Sequence, residues 1–143
     1  MKIVMKQLNP NLMVKDIRET ADFYERNLGF SLVMAVPKGS QDAITDISAS
    51  DDTLVWMKMN NGDVSIMFQE IASFQEDAPF LKSGELGASG SFYMEVENLE
   101  KVVAALDENV SVLREISTTW YGMKEFYMYD NNGYIVVLCE RLT

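Results

Sequence analysis

The sequence contains a weak internal repeat, and this repeat limits the folds that the chain can adopt. The segment Leu12–Ile17 matches Met94–Leu99 at a separation of 82 positions (94 minus 12). Each half also contains an Asn-Asn-Gly turn, at residues 60–62 and at residues 131–133. Two similar halves in a chain of 143 residues predict a pseudo-symmetric fold with a shared cleft between the halves.

Both halves show the same order of local patterns. Asp16 is placed to cap a helix that Gly29 ends, and Asn98 is placed to cap the corresponding helix of the second half. Alternating and apolar runs predict strands, with a hairpin at each Asn-Asn-Gly turn. The predicted strands are residues 8–14, 30–36, 54–59 and 63–69 in the first half and 91–96, 111–116, 126–129 and 134–140 in the second. The polar stretch 40–52 is predicted to be a mobile loop.

These patterns predict a single domain of the α+β class, built from two pseudo-symmetric β-α-β-β-β modules. Module one covers about residues 7–70, a connection about 71–88, and module two about 89–141. The last strands are apolar on both faces, which implies that the sheet is covered on both sides. We expect helices to cover the outer face of a mostly antiparallel sheet. The inner face would line a cup-shaped cavity or form a subunit interface.

Composition limits the classes of partner that the protein is expected to bind and the part of the cell in which we expect it. A formal net charge of −10 argues against nucleic acid, which needs a basic face, and is compatible with either solubility or attraction of a cationic ligand. No apolar run approaches the roughly 20 residues of a membrane span. Lys6 interrupts the stretch that a secretion signal would need, so we expect a cytoplasmic protein. The single cysteine, Cys139, excludes an intrachain disulfide and lies in an apolar run typical of a buried residue.

The module order and several short motifs resemble the vicinal oxygen chelate superfamily, which includes glyoxalase I, extradiol dioxygenases and the bleomycin- and fosfomycin-resistance proteins. The motifs are Leu12–Asp16, Phe23-Tyr24 and Asn27–Phe30 in the first half, and Tyr121-Gly122 before Asp130–Gly133 near the C-terminus. In the last motif, Asn131 replaces the usual proline. The resemblance covers nearly the whole chain and implies the same two-module fold.

The resemblance also implies where a metal ion would be held in the enzymes of this superfamily. The four positions fall on Asn9, Ile66, Ser91 and Val137, with Met67 as the alternative to Ile66. Asparagine and serine are weak neutral donors and the two aliphatic residues donate nothing, whereas zinc, nickel or iron need imidazole or carboxylate. The chain contains no histidine, which excludes a site of two histidines and one carboxylate. We therefore expect no metal and no cofactor.

Alternation along the strands predicts which side chains face the cavity. If Leu12 and Val14 pack on the helices, their neighbours face the cleft. The predicted ligand-binding residues are Asn9, Asn11, Met13, Trp56, Ile66, Phe68, Ser91, Tyr93, Glu95, Trp120, Tyr127 and Val137, with Val64 and Ile135 on the same reasoning. They describe an apolar, aromatic cleft with a few polar groups, which is the usual composition of a small-molecule site.

Several of these residues have a second interpretation. Glu95 would hold a cationic ligand or act as a base, or would be a solvated residue at the rim. Trp56 and Tyr127 occupy equivalent positions when residues are counted from the two turns. Their rings would contact a planar ligand, or they would pack in a core or a dimer interface. Trp120 lies in a predicted loop, where an exposed indole often marks a contact surface.

The leading hypothesis is a metal-independent protein that sequesters a small aromatic or cationic molecule and resembles the bleomycin-resistance branch. The resemblance implies a homodimer, since paired chains complete the clefts in that branch. The second hypothesis is a lyase or isomerase that resembles glyoxalases or epimerases but uses Glu95 as its base in place of the usual metal. The third is a structural or regulatory protein with a vestigial cleft.

Overall fold

The computed structural model describes residues 2–77 and 91–143, which divide into two compact units. Among the described residues, the first unit contains 2–21 and 30–77, and the second contains 22–29 and 91–143. The second unit therefore takes in the last part of the first helix, which the sequence assigned to module one. The single-domain organisation stays a prediction.

Each unit contains one four-stranded sheet, and the two sheets have the same strand order. The first half contains β1 (Asn11–Val14), α1 (Ile17–Leu28), β2 (Ser31–Pro37), β3 (Leu54–Asn61), β4 (Val64–Glu70) and α2 (Ile71–Asp77). The second half contains β5 (Ser91–Glu95), α3 (Leu99–Ala104), β6 (Val112–Thr118), β7 (Met123–Tyr129) and β8 (Ile135–Arg141). The orders are β1-β4-β3-β2 and β5-β8-β7-β6, with β1–β4 and β5–β8 parallel and the other pairs antiparallel. The predicted α+β class and the β-α-β-β-β order are confirmed.

The predicted helix caps lie where the sequence placed them. Asp16 Oδ1 accepts a hydrogen bond from the backbone N–H of Glu19 across 2.9 Å, and Gly29 follows α1 with a left-handed φ of 67°. At α3, Asn98 Oδ1 accepts from the backbone N–H of Lys101 at 3.3 Å. Each helix therefore begins at a side chain that satisfies one of its free N–H groups.

The structure adds a short helix, α2, at the start of the predicted connection 71–88. Glu70 begins it, because its two carboxylate oxygens accept hydrogen bonds from the backbone N–H groups of Ala72 at 3.1 Å and Ser73 at 3.2 Å. No side chain of α2 is fully buried, so the helix lacks the apolar periodicity that would have revealed it. The rest of the predicted connection, residues 78–88, lies outside the described residues.

The core of the second unit lies on one face of its sheet. Phe126, Met128, Val136 and Leu138 pack with Leu99 of α3 on this face, which we call the core face. Phe23 and Leu28, from the last part of α1, pack against the same cluster. Because these side chains are buried in the core, a binding site in this unit would use the opposite face of the sheet.

The polar loop 40–52 has specific contacts in the first unit. Ile44 forms a two-hydrogen-bond bridge with Ala35 of β2, at 2.7 and 2.8 Å. The guanidinium of Arg18, on α1, donates to the carbonyl oxygen of Asp52 at 2.7 Å and to that of Ile47. These contacts attach the loop at both its middle and its end.

The two hairpin turns differ in length although both contain Asn-Asn-Gly. Asn61 pairs with Val64 across a two-residue turn, whereas Tyr129 pairs with Ile135 across the five residues 130–134. Asp130 closes the longer turn, since its Oδ1 accepts from the backbone N–H groups of Asn132 at 2.8 Å and Tyr134 at 2.9 Å. The predicted hairpins are confirmed, but their turns are not equivalent.

None of the helices within residues 2–77 and 91–143 has the length and apolar character that a membrane crossing needs.

Candidate functional site

The first unit groups only some of the predicted cleft residues on one sheet face. Asn11 and Met13 of β1 pair with Met67 and Gln69 of β4, and Trp56 of β3 pairs with Gln69. These side chains share one face, which we call the amide face. Asn9 precedes β1, is partly exposed, and donates a hydrogen bond to Gln7 Oε1 at 3.2 Å.

The predicted placement of Ile66 and Phe68 on this face is wrong. Phe68 pairs with Leu12 and Met57, and Ile66 pairs with Met59, so both project from the opposite, buried face of the sheet. They are 2% and 0% exposed, respectively. Val64 follows the same alternation. Met67, the alternative at the implied metal position, is the residue that lies on the amide face.

The error has a physical cause in the unequal turns. Asn11 and Tyr93 match at the repeat separation of 82 (93 minus 11), and their strand partners are Met67 and Val137, which are 70 apart (137 minus 67). Counting from the turn glycines gives 71 (133 minus 62). A shift of one residue moves a side chain to the other face.

The same correction changes the partner of Trp56. Met67 pairs with Lys58 in the first sheet, and its counterpart Val137 pairs with Tyr127 in the second. Tyr127 therefore corresponds to Lys58. Trp56, two residues before Lys58, then corresponds to Glu125. The correspondence of Trp56 with Tyr127 is therefore wrong, although each ring still lies on the predicted face of its own sheet.

Amide groups form a directed hydrogen-bond chain on the amide face. Gln69 is buried, and its Nε2 donates to Asp77 Oδ2 at 2.7 Å and Ser73 Oγ at 2.9 Å. A carboxylate only accepts, so Gln69 must direct its Oε1 toward Asn11, whose Nδ2 donates to it at 2.9 Å. Asn11 Oδ1 is consequently a buried acceptor that has no hydrogen-bond partner among the described residues.

The second unit places the predicted cleft residues of β5, β7 and β8 on one face, as expected. Tyr93 pairs with Val137, which pairs with Tyr127, and this row defines what we call the tyrosine face. Ser91, Glu95 and Ile135 project from the same face. Val137 is buried within the row, whereas Tyr93 is 50% exposed.

At the centre of the tyrosine face lies a buried carboxylate that the sequence analysis missed, Glu125. The residue is 2% exposed. Its Oε2 accepts hydrogen bonds from two hydroxyls, that of Tyr121 at 2.6 Å and that of Tyr93. Both hydrogen bonds that the described residues give to this carboxylate end on Oε2, which leaves Oε1 for a ligand.

The two tyrosines remain hydrogen-bond donors over the physiological range. Desolvation and the hydrogen bond to Glu125 raise the pKa of Tyr93 well above its ordinary value. The hydrogen bond to Glu125, followed by desolvation, raises the pKa of Tyr121. Both phenols therefore stay protonated and hold the Glu125 carboxylate in a fixed orientation.

Glu95, the predicted base, is in a different environment. Its Oε1 lies 3.3 Å from a guanidinium nitrogen of Arg141, and the two side chains are 56% and 69% exposed. Exposed ion pairs of this kind contribute little energy and leave the carboxylate in water. The geometry fits the interpretation of Glu95 as a solvated residue at the edge of the site.

Two further aromatic residues flank the tyrosine face. Trp120 lies in the turn between β6 and β7, is 94% exposed, and makes an edge-on contact with Tyr121 at 5.3 Å between ring centroids. Tyr127 is partly buried, and the guanidinium carbon of Arg114 lies 4.9 Å from its ring centroid.

The residues at the implied metal positions do not form a competent ligand set. Asn9 precedes the sheet, Met67 offers a thioether, Ser91 is exposed, and Val137 has no donor atom. In the described parts of the chain, no group of three His, Cys, Asp or Glu side chains is arranged to hold a metal ion.

Comparison with known proteins gives the family. The model of the Glyoxalase/Bleomycin resistance protein/Dioxygenase superfamily matches residues 5–138, and the chain belongs to this superfamily. No curated protein matches the chain.

Solved structures support the same fold. A protein of unknown function from Agrobacterium tumefaciens superposes with a TM-score of 0.72 at 20% identity, covering 99% of this chain and 98% of its own. A glyoxalase-related enzyme from Fulvimarina pelagi gives 0.69 at 16% identity, covering 96% and 89%. A glyoxalase/bleomycin resistance protein/dioxygenase family enzyme from Burkholderia phytofirmans gives 0.67 at 15% identity, covering 94% and 97%. At these identities the likeness establishes the fold only.

Proposed function

We propose that this chain is a cytoplasmic, metal-independent binding protein that sequesters a small cationic aromatic molecule, as in the bleomycin-resistance-like branch of its superfamily. The observation that carries the proposal is the buried Glu125 carboxylate on the tyrosine face. A buried carboxylate is costly unless its charge is balanced or hydrogen-bonded. Two tyrosine hydroxyls stabilise Oε2, and a ligand cation would complete the site at Oε1.

The aromatic surroundings of Glu125 favour a cation over a neutral ligand. The ring faces of tyrosine and tryptophan attract ammonium and guanidinium groups, and this attraction strengthens where water is excluded. Tyr93 and Tyr121 adjoin the carboxylate, and each is about half exposed, so their rings are accessible. The net charge of −10 adds a long-range attraction for cations.

Titration with a matched pair of probes tests this proposal. Benzylamine carries a cation on an aromatic ring, and benzyl alcohol has nearly the same shape without the charge. We expect wild-type protein to bind benzylamine more tightly, and Glu125→Gln to weaken that binding about tenfold or more, because a charged hydrogen bond is lost. Calorimetry gives the affinities, and the melting temperature confirms that the variant is folded.

Glu95→Gln is the control, since it removes the same charge from the same face. It should leave benzylamine affinity nearly unchanged because Glu95 is solvated and paired with Arg141. Equal losses in the two variants would reduce the effect to net charge and overturn the proposal. Absence of benzylamine binding to the wild-type protein would also overturn it.

The same Tyr–Glu–Tyr arrangement supports a second candidate, a lyase or isomerase that works by proton transfer. The base would then be Glu125, which is buried beside two hydroxyl donors, and not Glu95. Proton NMR of acetophenone in deuterated water tests this candidate. Exchange of the methyl protons that wild-type protein accelerates and Glu125→Gln does not would favour catalysis over sequestration.

The homodimer implied by the resemblance remains part of the proposal. Sedimentation or light scattering of the full chain across a concentration series measures it directly. A mass of one chain at all concentrations would remove the dimer from the proposal without affecting the Glu125 site, because the site residues come from a single unit.

A further inference from the structure

The guanidinium of Arg114, beside the Glu125 site, has surroundings that are unusual in a strongly acidic chain. Arg114 of β6 pairs with Tyr127 of β7, so both side chains project from the tyrosine face. The guanidinium carbon lies 4.9 Å from the Tyr127 ring centroid. Stacking on a ring uses the flat face of the guanidinium and leaves its N–H groups at the edge available.

No carboxylate within the described ranges forms an ion pair with Arg114. The chain contains 22 acidic residues, so acidic partners are abundant elsewhere on its surface. Arg141, the other arginine on this face, is paired with Glu95 at 3.3 Å. Arg114 is therefore the cation of the tyrosine face whose hydrogen-bond donors are open to an anionic group.

The two charged groups are attached at neighbouring positions on one face of the sheet. Glu125 and Tyr127 are two residues apart on β7, so they share a face and their Cα atoms lie about 7 Å apart. Tyr127 holds Arg114, and Glu125 presents Oε1. An acceptor for a cation and a donor for an anion thus project from neighbouring positions of the tyrosine face.

We propose that the ligand is a zwitterion, with its ammonium group at Glu125, its carboxylate at Arg114, and its apolar body against the tyrosine face. This inference rests on the proposed cation site and adds a second, opposite charge to the ligand. A planar guanidinium recognises a carboxylate through two parallel hydrogen bonds, which gives direction as well as affinity. The site then binds molecules that carry both groups more tightly than it binds simple amines or simple acids.

Three probes with the same ring separate the two charges. 4-(Aminomethyl)benzoic acid carries both groups, benzylamine carries only the cation, and 4-methylbenzoate carries only the anion. We expect wild-type protein to bind the zwitterion about tenfold or more tightly than benzylamine, and 4-methylbenzoate most weakly because of the net charge of −10.

Arg114→Met should abolish the advantage of the zwitterion over benzylamine and leave benzylamine affinity within about twofold, because methionine can still cover the Tyr127 ring. Arg141→Met removes an equal charge from the same face and should preserve the advantage. Equal affinities of wild-type protein for the zwitterion and benzylamine would overturn the inference, as would an advantage that survives Arg114→Met. Benzylamine binding that depends on Glu125 would leave the proposed function standing in either case.

Discussion

The Tyr24 hydroxyl donates a 2.7 Å hydrogen bond to Asp130 Oδ2, and both side chains are buried. The other oxygen of Asp130 closes the second hairpin turn through two backbone N–H groups. Tyr24 lies on α1, so this pair joins the helix to the turn within the second unit. Its electrostatics give an unusual dependence of stability on pH.

Burial raises the pKa of Asp130, although its hydrogen bonds to Tyr24 and to the turn act in the opposite direction. Its folded-state pKa therefore exceeds the unfolded value, about 3.9. The stability that this group contributes is fully present below the unfolded pKa and is lost as pH rises through the folded pKa. Asp130→Asn should remove this loss, because asparagine keeps an oxygen for the two backbone N–H groups and offers a donor to Tyr24.

Denaturant unfolding of Asp130→Asn and Tyr24→Phe from pH 3 to pH 7 measures this effect. We expect Asp130→Asn to match or exceed the wild-type free energy of unfolding at pH 7. Tyr24→Phe should lose about 1–3 kcal/mol there, because the buried carboxylate keeps its charge and loses a donor. A loss in Asp130→Asn as large as that in Tyr24→Phe would contradict this account.

Glu140 should show the opposite pH dependence. Hydrogen bonds from the backbone N–H groups of Leu99 and Asn98, at 3.1 and 2.9 Å, lower the pKa of this carboxyl. Its stabilisation is present above the unfolded pKa, about 4.3, and is lost as pH falls through the folded value. Glu140→Gln should therefore lower the melting temperature at pH 7, with the difference shrinking as the pH falls below 4.

Glu97→Gln is the control for Glu140, since it removes a nearby exposed acid without removing those contacts. It should leave the melting temperature almost unchanged at both pH values. If both variants lowered it equally, the effect would come from net charge and not from the cap of α3.

Arg18 should control the order of the loop 40–52. Its guanidinium binds two carbonyl oxygens of this loop, those of Ile47 and Asp52. Arg18→Lys keeps the charge but has a single nitrogen, which cannot span both carbonyls as the planar fork does. Hydrogen exchange at the Ile44 amide should become faster in this variant, whereas Lys38→Ala, an exposed neighbour of the loop, should not change it. Equal exchange in wild type and Arg18→Lys would show that the bridge to Ala35 holds the loop without the arginine.

The corrected register of β4 predicts different stability costs for alanine substitutions at two adjacent residues, so each substitution is a control for the other. Ile66→Ala should cost about 2–5 kcal/mol of stability, because the side chain is buried on the core side of the first sheet. Met67→Ala, one residue further, should cost clearly less because Met67 projects from the amide face and is partly exposed. Chemical denaturation of both variants gives the order, and a larger loss for Met67→Ala would reverse the register.

The sequence was sufficient for the local features with strong chemical signals. Asp16, Gly29 and Asn98 mark helix ends through caps and a left-handed backbone, which depend only on neighbouring residues. Alternation alone placed Tyr93 and Glu95 on one face, because β5 has an unbroken period of two. These features required no knowledge of contacts distant in the sequence.

The missed features depend on where strands begin and which residues pair. The predicted strand 126–129 begins just after Glu125, whereas β7 begins at Met123, so alternation was never applied to the buried carboxylate. Extending that strand by three residues would have placed Glu125 beside Tyr127. Ile66 was assigned to the wrong face because the turn, and not the ladder, was used for counting.

The unequal hairpins bear on how a duplicated gene can diverge. A turn can gain one residue, as the step from the Lys58–Met67 pair to the equivalent Tyr127–Val137 pair shows, without moving any strand residue to the other face, because pairing resumes on its far side. Insertions at the tip are therefore nearly neutral, while a single insertion within β4 or β8 would exchange an entire ligand-facing row for an entire core row. After duplication, the lengths of the two copies can drift apart at the tips while selection preserves parity along the strands. Positions in one copy should accordingly be traced to the other through their partners across the ladder.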